Sequence, residues 1–122
     1  MGKRILIADD EPNIVVALVF LMKQMGHEVR VAATGEEAAN AVAEFNPDLI
    51  LLDVMMPRMS GYDLCQSVRD DPDRHGIKII MLSAKGRDVD VTKGIAIGAD
   101  AYFTKPFSTK ELTAKVRQLL GE

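Results

Sequence analysis

The chain has 122 residues, 48% hydrophobic and 27% charged, with a formal net charge of −3. That length makes one domain, residues 1–122, with a single core between two layers of helix, and the composition is that of a soluble globular protein, neither disordered nor membrane-embedded. The 15 Lys and Arg form no block, which gives direct nucleic-acid binding little support. The lone Cys65 excludes a disulfide framework and a Cys-rich metal site. No apolar run approaches membrane-spanning length, and a strand beginning directly after Met1-Gly2-Lys3 leaves no room for a signal peptide. A cytoplasmic protein is expected.

Strand and helix patterns alternate five times. Arg4 to Ala8 is a short apolar strand ending in Asp9-Asp10-Glu11, and Pro12 suits the first turn of a helix. Ile14, Leu18, Leu21, Met22 and Met25 recur at helical spacing until Gly26 stops them. Glu28 to Ala33 is a second strand, and Thr34-Gly35-Glu36-Glu37 is a capping box opening a helix with Ala38, Ala41, Val42 and Phe45 on its apolar face. Leu49 to Leu52 is an apolar run between Asn46-Pro47-Asp48 and Pro57. A run this short suits a strand buried on both faces, and Asp53 stands at its carboxyl end. Ser60 caps a helix carrying Leu64 and Val68, which Asp71-Pro72-Asp73 breaks.

Lys78 to Leu82 is the fourth strand, ending at Ser83, and the fourth helix runs from about Asp88 to Ile97 with Gly94 inside it and Gly98 as its stop. At roughly 100° per residue, Val91 and Ile95 are expected to face the sheet, and Val89, Lys93 and Ile97 to form an outward stripe. Ala101 to Thr104 is the fifth strand, followed by Lys105-Pro106. The second capping box, Ser108-Thr109-Lys110-Glu111, opens a helix whose Leu112, Val116, Leu119 and Leu120 face the core. The pattern is (βα)5, an α/β fold whose right-handed crossovers give a doubly wound parallel sheet with helices on both faces.

In such a sheet ligands bind outside the carboxyl ends of the strands. Asp9 and Asp10, Asp53, Ser83 and Lys105 all fall there. Three carboxylates in one pocket repel and raise one another's pKa unless a cation joins them. Hard oxygen ligands without His or Cys point to Mg²⁺, with Mn²⁺ as a substitute; His27 and His75 lie elsewhere in the pattern, which argues against zinc. Taken singly, Ser83 reads as a turn residue, Lys105 as a surface ammonium and Tyr102 as rim packing. Asp9-Asp10-Glu11 favours a helix N-terminus, the main role expected for Glu11.

Together these residues resemble the receiver domain of two-component response regulators across essentially the whole chain. The resemblance implies the flavodoxin-like strand order 2-1-3-4-5. It implies Mg²⁺ held by Asp9 and Asp10, with Asp10 the direct ligand, by the phosphoacceptor Asp53 and by the backbone carbonyl of Met55. It makes Ser83 the switch hydroxyl, with small Ala84 beside it in the phosphate site, and matches Tyr102-Phe103-Thr104-Lys105-Pro106 to the switch aromatic, the conserved lysine and a cis peptide. Pro57 and Gly61 fit the family's loop. It implies phosphoryl transfer from a histidine kinase, a phosphotransfer protein or a small phosphodonor. Output would run through the fourth helix, fifth strand and fifth helix to an output domain, a protein partner or a second copy. Lys105-Pro106-Phe107-Ser108 is similar to DNA-binding regulators, although Ala101 replaces the second acid usual in their dimer interface. A haloacid-dehalogenase-like phosphohydrolase would need an acid where Met55 stands, and a nucleotide or flavin module would need a Gly-rich loop where Asp9-Asp10 stands.

Overall fold

The computed structural model describes residues 2–57, 59–84 and 87–122. In chain order the elements are β1 (Arg4–Ala8), α1 (Pro12–Gln24), β2 (Glu28–Ala32), α2 (Gly35–Phe45), β3 (Leu49–Asp53), α3 (Gly61–Asp70), a 3-10 turn at Pro72–Arg74, β4 (Lys78–Ser83), α4 (Asp88–Ile97), β5 (Ala101–Thr104) and α5 (Thr109–Leu119). All strand pairings are parallel, in the order β2-β1-β3-β4-β5. The register aligns the carboxyl ends: Ala8 lies between Ala32 and Leu52, Asp53 beside Leu82, and Ser83 beside Thr104.

Because side chains alternate across a strand, the run Leu49 to Leu52 feeds two cores. Ile50 and Leu52 join Leu6, Ile79 and Met81 under α2 and α3, with Ala38, Val42, Leu64 and Val68. Leu49 and Leu51 join Ile5, Ile7, Ile80 and Leu82 under α1 and α5, with Leu18, Met22, Leu112 and Val116. Every residue of β3 is buried, Asp53 included. Burying a side chain of this size contributes about 1.5–3 kcal/mol, so the central strands hold their ends, and whatever those ends carry, in place.

Local signals explain the boundaries. The Thr34 Oγ1 accepts the Glu37 amide at 3.1 Å, and Glu37 reaches back to the Ala33 amide, also at 3.1 Å. That bond takes Ala33 out of the ladder, and β2 stops one residue earlier than the sequence pattern indicates. Ser60 and Ser108 cap α3 and α5 through the amides of Asp63 and Glu111.

The fourth helix departs from expectation in its facing. Ile95 is 46% exposed, whereas Ile97 packs against the core beside Tyr102. Gly94 sets this phase: it is buried, and a Cβ there would lie 2.8 Å from Met81 Sδ and 3.0 Å from the Tyr102 ring. Gly94 and Ile97 therefore face the core, Val91 is partly buried, and the large apolar residues of α4 that are exposed are Val89 and Ile95.

Cys65 is fully buried in α3, and burial, with Asp100 adding and Arg69 opposing, pushes its thiol up to about 11. The reactive species is the thiolate, so the native protein at about pH 8 should leave a thiol-disulfide reagent unreacted over the time in which the denatured chain reacts fully. Prompt native labelling would contradict the packing of α3.

Candidate functional site

Five loops meet at the carboxyl edge of the sheet, and they bring the acidic residues together. Asp9 follows β1 and is fully buried, Asp10 beside it is exposed, and Asp53 ends β3 with 3% exposure. One oxygen from each of the three lies within 4.8 Å of the others. Lys105, just after β5, sends its Nζ to Asp9 Oδ2 at 2.9 Å and to Glu11 Oε1 at 2.8 Å, and stands 3.7 Å from Asp53 Oδ2. The Asp9 Oδ1 accepts the Glu11 amide at 2.9 Å, and the Asp53 Oδ1 accepts the Met55 amide at 3.1 Å. Asp10, among the described residues, has no such partner.

The electrostatics follow from those distances. Burial pushes the Asp53 carboxyl above its ordinary range; the Met55 amide pulls it down, Asp9 pushes it up, Lys105 pulls it down and Asp10 pushes it up, for a net rise. For Lys105, burial disfavours the ammonium, but the bonds to Glu11 and Asp9 and the charges of Asp53 and Asp9 outweigh it and raise its pKa. Three carboxylates, Asp9, Glu11 and Asp53, thus share one ammonium among the described residues, and Asp10 adds a further negative charge beside them. The surplus suits a hard divalent cation: the donors are carboxylate oxygens, with neither His nor Cys among them, the set that suits Mg²⁺ or Mn²⁺.

Ser83 is fully buried at the end of β4, its carbonyl accepting the Lys105 backbone amide at 2.7 Å, with exposed Ala84 following. The Lys105–Pro106 peptide is cis. Met55 directs its amide at Asp53 and leaves its side chain 55% exposed. Tyr102 is removed from this cluster: it packs against the core under α3 and α4, beside the Tyr62 side chain. Gly61 is seated on the backbone at Asp53, where a Cβ would lie 2.5 Å from the Asp53 carbonyl oxygen and 2.8 Å from Val54 Cα.

Two residues here escape the sequence reading. Glu11 does stand at the N-cap of α1, where its charge suits the helix N-terminus, but its carboxylate also binds Lys105, a role the sequence reading did not assign; the third acid of Asp9-Asp10-Glu11 was the available signal. Tyr62 carries no signal in its spacing, since its partners come from α4 and β5.

The family model for the response regulator receiver domain matches residues 5–117. The chain is 44% identical over 120 residues to the DNA-binding response regulator MtrA of Mycolicibacterium smegmatis, covering 98% of this chain and 51% of MtrA. It therefore spans about half the length of that relative. Among solved structures, the BeF3-activated DrrB receiver domain superposes with a TM-score of 0.91 at 34% identity, over all of both chains. The receiver domain of the sensor histidine kinase PA1611 from Pseudomonas aeruginosa PAO1, with a magnesium ion coordinated in its active site cleft, gives 0.89 at 25% identity, again over all of both chains. The chain belongs to the response regulator receiver domain family of two-component signalling proteins.

The raised Asp53 pKa has a stability consequence of definite sign. The folded chain binds the Asp53 proton more tightly than the unfolded chain, whose reference value is 3.8. The stability this brings is fully present below that value and is lost as pH rises through the folded pKa. In metal-free buffer Asp53→Asn should therefore melt above wild type at about pH 7, with the difference gone by about pH 3. Adding Mg²⁺ should raise the wild-type midpoint more than that of the variant. Differential scanning calorimetry checks both; a variant that melts lower at neutral pH would contradict the charge surplus.

Proposed function

We propose that residues 1–122 form a phosphoacceptor receiver that works on Asp53, in a cytoplasmic setting. A carboxylate oxygen of Asp53 attacks the phosphorus of a phosphohistidine on a histidine kinase or phosphotransfer protein, or of a small acyl phosphate. The P–N or P–O bond to the donor breaks, its electron pair leaves with the donor, and an aspartyl phosphate remains. The observation that carries this reading is the convergence of Asp9, Asp10 and Asp53 within 4.8 Å at the strand ends beside Lys105. Transfer of this kind depends on positioning and charge more than on covalent chemistry.

Each residue then has a role. Lys105, already 3.7 Å from Asp53, turns from Asp9 and Glu11 toward a phosphoryl oxygen. The Ser83 hydroxyl takes a second oxygen, and the small Ala84 leaves room for the group. Asp9, Asp10, Asp53 and the Met55 carbonyl would hold Mg²⁺, with Mn²⁺ as a substitute, and exposed Asp10 supplies the carboxylate least engaged by the protein. When bound, such an ion offsets negative charge on the phosphoryl oxygens; the magnesium in the cleft of the P. aeruginosa receiver supports this choice.

The readout is a shift between two states of the α4–β5–α5 face. Ser83, drawn toward the phosphoryl group, vacates space that Tyr102 enters, and the altered face meets an output domain, a partner protein or a second copy. The chain acts on itself and turns over no separate substrate, and the domain itself contacts neither nucleic acid nor membrane. The name of MtrA supports a DNA-binding output carried by other residues.

Acetyl phosphate with Mg²⁺ should add one acid-stable, hydroxylamine-labile phosphoryl group per chain, and Asp53→Asn should take up none by intact-mass spectrometry. Omitting Mg²⁺ or substituting Lys105→Ala should slow labelling by roughly 100-fold or more, the scale seen when one preorganised charge is removed. Equal labelling of Asp53→Asn, or repeated turnover of a phosphomonoester, would overturn the assignment.

A further inference from the structure

The helix named as the output element, α4, has little local support of its own. Six of its ten residues, Val89, Val91, Thr92, Gly94, Ile95 and Ile97, are β-branched or glycine, all poor helix formers. Its N-cap, Arg87, makes no side-chain cap bond, as is also true of Glu11 at the start of α1, whereas α2, α3 and α5 are each capped by a hydroxyl. The first turn of α4 is instead tied to α3 by Tyr62. The Tyr62 hydroxyl donates to the Asp90 carbonyl at 3.2 Å, and Lys93 Nζ lies 4.4 Å from the centroid of the Tyr62 ring. Tyr102 lies beside the same side chain. Gly94 lets α4 approach Tyr102 this closely.

Tyr62 is also one residue from the phosphoacceptor loop. Its neighbour Gly61 donates its amide to the Val54 carbonyl at 2.9 Å and sits so close to the Asp53 carbonyl that a single added carbon would clash. Movement of the backbone at Asp53 and Val54 therefore displaces the first turn of α3 with almost no slack. Tyr62, in that turn, holds Asp90 and Lys93 of α4 at its other end.

We propose that Tyr62 is a positioning residue of the switch, passing displacement of the Asp53 loop through Gly61 to the first turn of α4 by a route separate from Ser83 along β4 and Tyr102. The inference rests on the receiver reading above. It gives α4 two anchors, one answering to the hydroxyl at the end of β4 and one to the backbone beside Asp53. It also gives the weak capping of α4 a purpose: a helix held at its first turn by tertiary contacts responds when those contacts move.

Hydrogen–deuterium exchange on the full chain, with and without beryllofluoride and Mg²⁺, tests it. In wild type the amides of α4 should change their exchange on adding beryllofluoride; if they do not, the switching face is wrong and the fault lies with the receiver reading. Given that response, Tyr62→Phe should exchange about fivefold faster in α4 without ligand, the effect of losing one hydrogen bond, while α1 and α5 stay as in wild type. Its beryllofluoride-dependent change in α4 should fall below about half that of wild type, with the extent of Asp53 labelling unaltered. A purely structural role would speed exchange yet preserve the ligand-dependent difference, and that result overturns the proposal. Lys93→Met, which removes the ammonium from the ring and keeps the hydroxyl, should move both readouts the same way by less. It also carries the test if Tyr62→Phe does not fold.

Discussion

The Lys105 ammonium stands among carboxylates that outnumber it. Asp9 and Asp53 are buried, Lys105 bonds Asp9 and Glu11 directly, and Asp53 is left 3.7 Å away. Buried carboxylates without full compensation are costly, and a fold that keeps them needs a frame rigid enough to prevent their moving apart. The five parallel strands supply that frame. Strands β1, β3 and β4 are covered on both faces, so the ends that carry Asp9, Asp53 and Ser83 cannot relax toward solvent. The unfavourable local charge and the large apolar burial are therefore one design: stability gained across the sheet holds the acidic cluster together.

The same geometry separates reaction from response. The carboxylates and Lys105 lie at the edge of the sheet, while Tyr102 packs against the core beneath α3 and α4. A change in charge at the edge can reach the outer face only through elements that touch both regions. Two such elements are β4, which ends in Ser83, and the first turn of α3, seated on the backbone at Asp53. In the proposed switch both would lead to α4, a helix rich in β-branched residues and without a side-chain cap.

Much of this was legible in the sequence because it was encoded locally. The capping residues Thr34, Ser60 and Ser108 sit where the pattern places them, since a cap needs only a hydroxyl and an amide three residues on. The all-apolar run before Asp53 identifies a two-sided strand, and a parallel sheet then forces its end to the ligand edge. What was not legible depended on approach between elements. Glu11 looked like a helix-terminus acid because its partner is remote in the chain. The facing of α4 was misread because Gly94, which carries no side chain to count in a periodicity, is the residue that faces the sheet. Tyr62 was silent for the same reason as Glu11: its partners, Asp90 and Tyr102, belong to later elements.

In the proposed function the acidic cluster is complete only with a cation and then receives a phosphoryl group at Asp53. Fluorine NMR of beryllofluoride, which takes the shape and charge of that group, tests it most directly. Bound resonances in a one-to-one ratio with the chain, appearing only when Mg²⁺ is added and absent in Asp53→Asn, are the predicted result. Bound signal of equal strength without divalent metal, or in the Asp53→Asn chain, would contradict it.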